Sequence, residues 1–113
     1  MAIHTLRTDE MIVGETRTFS ISFRKMLDSG ELLTGVPTVI EQVTSDLTIT
    51  NKAVSTAALT IDRVSNAIGE AVQYKVSDQV VSGSVYTVKI TVATDGGQTF
   101  VRCVETPVVA CTD

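Results

Sequence analysis

The sequence predicts an all-β fold, an antiparallel sandwich of about seven strands. Three observations predict it. Apolar and polar residues alternate at period two over several segments, most clearly from Thr16 to Phe23 and from Tyr86 to Ala93. Turn sequences rich in Gly, Ser, Asn and Asp separate these segments at short intervals. No long amphipathic helical pattern interrupts them. The 113 residues suit one domain, long enough to bury about two-thirds of the surface of the unfolded chain. Residues 1–13 read as an N-terminal arm or edge strand and residues 14–113 as the sandwich itself.

In chain order, Ile3 to Arg7 and Met11 to Val13 carry weak strand signals, broken at Gly14. From Thr16 to Phe23 the alternation places Phe19, Ile21 and Phe23 on one face, and Thr18, Ser20 and Ser22 on the other. Asp28-Ser29-Gly30-Glu31 is a turn sequence, because Asp bonds its own backbone two residues on and Gly accepts positive φ. Gly35 to Val43 is ambiguous: Val36, Val39, Ile40 and Val43 have helical spacing, but Gly35, Pro37 and the β-branched content favour strand, which is the assignment adopted. Leu47 and Ile49 begin another strand that Asn51-Lys52 is expected to end as a turn. Ala53 to Ala58 is too short to hold a helix by propensity, Leu59 and Ile61 resume the alternation, and Ser65-Asn66 with Gly69 marks a reversal.

Val72, Tyr74 and Val76 share a strand face opposite Gln73 and Lys75, and Ser82-Gly83-Ser84 leads to the next strand. There Tyr86, Val88, Ile90 and Val92 point one way and Thr87, Lys89, Thr91 and Ala93 the other, before Asp95-Gly96-Gly97 turns the chain in a tight hairpin. The strand from Gln98 to Val104 is apolar on both faces, Phe100 and Val104 on one, Val101 and Cys103 on the other. Such a strand is expected to be covered on both sides, and these four residues are the candidate subunit contact. The sum is an immunoglobulin-like sandwich, with an eight-strand jelly roll or a small barrel as the structural rival.

Composition narrows the chemistry. A net charge of −4, with nine basic residues that look scattered, argues against a nucleic-acid partner. Arg24-Lys25, the one adjacent basic pair, reads as a hairpin end or solvated face. No apolar stretch approaches the roughly 20 residues that span a bilayer, so no membrane partner is expected, and Met1 to His4 lacks a signal-peptide layout, which reads as cytosolic synthesis. His4 is the single histidine, so neither a zinc site nor a Ser-His-Asp triad is indicated. Asp95-Gly96-Gly97 lacks the helix and lysine of a phosphate loop, and no calcium-loop spacing occurs among the thirteen carboxylates. Cys103 and Cys111 would lie on the order of 25 Å apart in an extended segment, beyond disulfide reach unless Pro107 turns the chain. No cofactor is expected, and the chain reads as a domain that binds or builds rather than as an enzyme.

Gly14-Glu15-Thr16-Arg17-Thr18-Phe19-Ser20-Ile21-Ser22-Phe23, Ala71-Val72-Gln73-Tyr74-Lys75-Val76-Ser77, Tyr86-Thr87-Val88-Lys89-Ile90-Thr91-Val92 and Asp95-Gly96-Gly97-Gln98-Thr99 follow one another in a specific order. In that order, over roughly residues 14–104, the chain resembles the fiber-tail adaptor proteins of tailed phages, although it lacks their D-W-type strand motif near the start. The resemblance implies a virion structural protein, made in the host cytoplasm, that joins a fibre to the tail or neck as a homo-oligomer with other virion proteins as partners. The Y-T-V-x-I-T-V strand also occurs in bacterial immunoglobulin-like repeats. That leaves open the alternative of an immunoglobulin-like module recognising a carbohydrate or protein at a host surface.

Overall fold

A computed structural model describes residues 6–8, 10–42, 47–61, 63–77 and 85–110. His4, Val43, Ser82-Gly83-Ser84 and Cys111 lie outside them. The described chain is all-β, with ten strands: β1 (Leu6–Arg7), β2 (Met11–Ile12), β3 (Arg17–Ser22), β4 (Leu33–Glu41), β5 (Thr48–Val54), β6 (Leu59–Ile61), β7 (Val64–Asn66), β8 (Ala71–Ser77), β9 (Val85–Thr94) and β10 (Thr99–Val109). One 3-10 turn, Arg24–Met26, follows β3.

The larger sheet has the order β1-β10-β9-β4, with β2 also on β10, and the smaller has the order β3-β8-β5; β6 and β7 form a separate hairpin. The inner faces of the two sheets share one apolar cluster. Phe19, Ile21, Val72, Tyr74 and Val76 come from the smaller sheet, and Val39, Tyr86, Val88, Ile90, Val92, Val104 and Val108 from the larger. The period-two pattern produces this directly, since every second side chain of β8 and β9 points inward and is buried.

The segment read as an arm or edge strand is tied to β10. Leu6 pairs with Val104 and Met11 with Val108, both parallel, and the Met11 side chain is fully buried in the core. Pro107 does not turn the chain: β10 runs straight through it. Its missing N–H falls between the stretch of β10 that pairs with β1 and the stretch that pairs with β2, where it interrupts neither ladder.

Asn51-Lys52 is not a turn either. β5 continues through both residues, with Asn51 at φ 52° and a register shift against β8 between Thr50 and Ala53. Asn tolerates the left-handed region, so the extra residue is absorbed as a bulge while pairing resumes at Ala53. A similar irregularity between Thr34 and Thr38 in β4 contains Gly35 at φ 77°, which breaks the helical spacing into strand. Of the reversal expected at Ser65-Asn66 with Gly69, Ser65 and Asn66 belong to β7 and the turn falls at residues 67–70, where Gly69 has φ 84°.

Candidate functional site

The four residues predicted to meet a neighbouring subunit divide by the parity of β10. Val104 is fully buried in the chain's own core and Phe100 packs against that core, so neither is turned to the outer surface. Val101 and Cys103 face outward, Val101 with 48% of its surface exposed. Register sets Thr38, Thr91 and Val101 in one row across β4, β9 and β10, and Ile40, Lys89 and Cys103 in the next. Ile40 is 51% exposed. The outer face of the larger sheet is therefore a threonine-rich surface with two exposed branched apolar side chains and one lysine in these rows.

A second feature was not legible in the sequence. A cleft of about 460 Å³ runs beside β3, which is an edge strand of the smaller sheet. The whole of β3 forms one wall, and Thr60, Ile61 and Val64 of the β6–β7 hairpin contribute opposite it. Four of the nine basic residues, Arg17, Arg24, Lys25 and Arg102, line the same cleft, and among the described residues no carboxylate does. Arg17, Arg24 and Lys25 are already near one another in sequence, and the fold adds Arg102 to them, so four cations gather at one place on an acidic protein.

Each cation is placed by an identifiable contact. Arg17 leads β3, its guanidinium over the Phe19 ring and donating to the Glu10 carbonyl at 3.0 Å. Arg24 and Lys25 lie on the 3-10 turn that follows β3, and the Arg24 Nε is 3.9 Å from Glu70. Arg102 reaches across from β10, over the Phe23 ring, and donates to the Ser22 carbonyl at 2.9 Å. Partial burial lowers the Arg102 pKa, but a guanidinium stays charged at neutral pH. The available signal was positional: Arg102 has the inward parity of Phe100 and Val104, where a charge needs a reason.

The backbone of β3 has a defined polarity. β3 pairs with β8 in antiparallel register from Arg17↔Val76 to Ser22↔Ala71, and Phe23 N–H continues the ladder by donating to the Glu70 carbonyl at 2.9 Å. Alternation in an antiparallel pair then turns the backbone groups of residues 19, 21 and 23 towards β8 and those of 18, 20 and 22 away from it. The Arg102 bond to the Ser22 carbonyl has the geometry this requires. At the hairpin side the wall is pinned where the Ser22 hydroxyl donates to Asn66 Oδ1 at 2.6 Å.

Two buried polar groups elsewhere are structural. Glu31 accepts from Asp28 N–H, the Thr94 hydroxyl and the Gln98 amide, which together lower its pKa; it ties the turn before β4 to the β9–β10 hairpin. The Tyr74 hydroxyl is buried without a partner among the described residues, and burial raises its pKa. Among the described residues no three His, Cys, Asp or Glu side chains cluster as metal ligands.

No protein-family model matches the chain, and no curated protein does. Among solved structures it is similar to a 2,6-sialyltransferase of Vibrionaceae Photobacterium sp. JT-ISH-224, crystallised with the donor product CMP and the acceptor substrate lactose, at 11% identity and a TM-score of 0.44. The similarity covers 94% of this chain but only 18% of that one.

Proposed function

We propose that the chain is an immunoglobulin-like assembly module that works by protein–protein contact, in its specific form a fibre-to-tail or neck adaptor of a phage particle. The observation that carries the contact role is the outer face of the larger sheet, where Val101 and Ile40 are about half exposed among threonines. Exposed branched side chains on a threonine-rich face gain by being covered, and a second copy or another virion protein can cover them. The phage assignment itself rests on the order of sequence segments described above.

The test is light scattering coupled to size-exclusion chromatography on the full chain and on the Ile40→Asp/Val101→Asp double variant. A defined oligomer that falls to monomer in the variant supports the proposal. A wild-type chain that stays monomeric over a wide concentration range, alone and with candidate fibre or tail partners, overturns it.

A role as a module for an acidic carbohydrate or a protein at a host surface is favoured by the cleft beside β3, with its arginines, lysine and hydroxyls. Its test is binding to neutral and acidic glycans, with wild type compared against Lys25→Glu.

A further inference from the structure

We infer that the open edge of β3 is a docking groove for an extended acidic peptide segment of a partner protein, which binds by adding a strand to the smaller sheet. This goes beyond the assembly role of the larger sheet, because it uses a different surface and a different chemistry.

Two independent observations converge on the groove. The first is the backbone. β3 is an edge strand, and its ladder polarity turns the N–H and C=O of Thr18 and Ser20 into the cleft, where no partner meets them among the described residues. An extended chain placed alongside satisfies these groups with its own backbone, as edge strands do in strand addition. The Ser22 carbonyl is already taken by Arg102, so pairing is confined to the part of β3 before Ser22 and a short segment is sufficient.

The second observation is charge. Arg24 lies 3.9 Å from Glu70, but Lys25 is exposed and Arg102 bonds a carbonyl rather than a carboxylate, so among the described residues these two cations of the cleft are not neutralised by an acid. A protein of net charge −4 that gathers four of its nine cations beside one unpaired strand edge selects for negative side chains on what it pairs with. Strand addition supplies affinity through the main chain, and the cations supply the preference for Asp or Glu on the incoming strand. The hydroxyl-rich wall of Thr18, Ser20 and Ser22 accommodates such a strand without demanding an apolar anchor.

The probe is a capped heptapeptide, Glu-Val-Glu-Thr-Glu-Val-Glu, titrated into the isotope-labelled full chain. It is compared with its Lys-for-Glu counterpart and with a version N-methylated at alternate residues, which keeps the charge and blocks pairing. The acidic peptide is expected to shift the amides of Thr18 and Ser20 and slow their hydrogen exchange. Binding should weaken with salt, fall by at least about fivefold in Lys25→Glu, and fall by about tenfold or more on N-methylation. Lys25 is exposed on the 3-10 turn and is not part of the apolar core cluster, so that variant is expected to fold.

Equal binding of the N-methylated peptide, shifts that map away from β3, equal binding of the basic peptide, or no binding each overturns the inference. So does an acidic oligosaccharide such as sialyllactose protecting the same amides while the peptide does not. The oligomeric state of the Ile40→Asp/Val101→Asp variant reads the assembly role separately, so the two proposals fail independently.

Discussion

The carboxylate of Glu31 lies against the α-carbon of Gly96, so closely that a methyl group there would overlap Oε2 and stand 3.1 Å from Cδ. The hairpin glycine is thus required by space. The same carboxylate holds Thr94 and Gln98, so Gly96 is the gap that lets the turn before β4 lock onto the β9–β10 hairpin. Gly96→Ala is expected to lower the melting temperature by several degrees, and by clearly less in a Glu31→Ala background, because residues sharing one contact are not additive. Equal losses in both backgrounds would show that Gly96 acts through its backbone instead.

The same carboxylate sets a pH dependence. Its pKa is lowered in the folded state, so its contribution is fully present above its ordinary value of 4.5 and is lost as the pH falls from there through the folded value. Thermal melts of wild type and Glu31→Gln should differ most near neutral pH and converge in acid. A gap that is constant down to pH 3, about a unit and a half below the ordinary value, would remove the charge from the explanation.

Tyr74 sits at the centre of β8, its ring 5.9 Å from that of Phe19 and its hydroxyl buried without a partner among the described residues. Tyr74→Phe keeps the ring and removes the unsatisfied group, so chemical denaturation should report a gain of about 1 kcal/mol. A loss of similar size would mean that the hydroxyl is bonded in solution.

Met11 anchors the first segment, with its side chain fully buried beside Val108 of β10. Met11→Ala should cost about 2–4 kcal/mol, the ordinary range for emptying a core methionine site. A neutral result would show that residues before Gly14 are an appendage.

Val88 is fully buried on the inner face of β9, opposite Val104. Val88→Asp should cost at least about 4 kcal/mol by leaving a buried charge unpaired. A soluble, cooperatively melting variant of near-normal stability would mean that the faces of β9 are reversed.

What the sequence by itself determined are the properties of single strands. The alternation in β3, β8 and β9 names Phe19, Ile21, Val72, Tyr74, Val76, Tyr86, Val88, Ile90 and Val92 as core, and Asp95-Gly96-Gly97 names its hairpin, because side-chain parity and turn conformation depend on adjacent residues alone. Partner choice depends on distant residues, and only the tertiary structure decided it. Two short segments add in parallel to β10, Asn51 becomes a bulge where a turn was expected, and Val101 and Cys103 take the outer face while Phe100 and Val104 turn inward. The basic cleft is the furthest case. Arg17, Arg24 and Lys25 lie within nine residues on β3 and the turn after it, and Arg102, more than seventy residues on, joins them only because β10 of one sheet passes the open edge of β3 in the other.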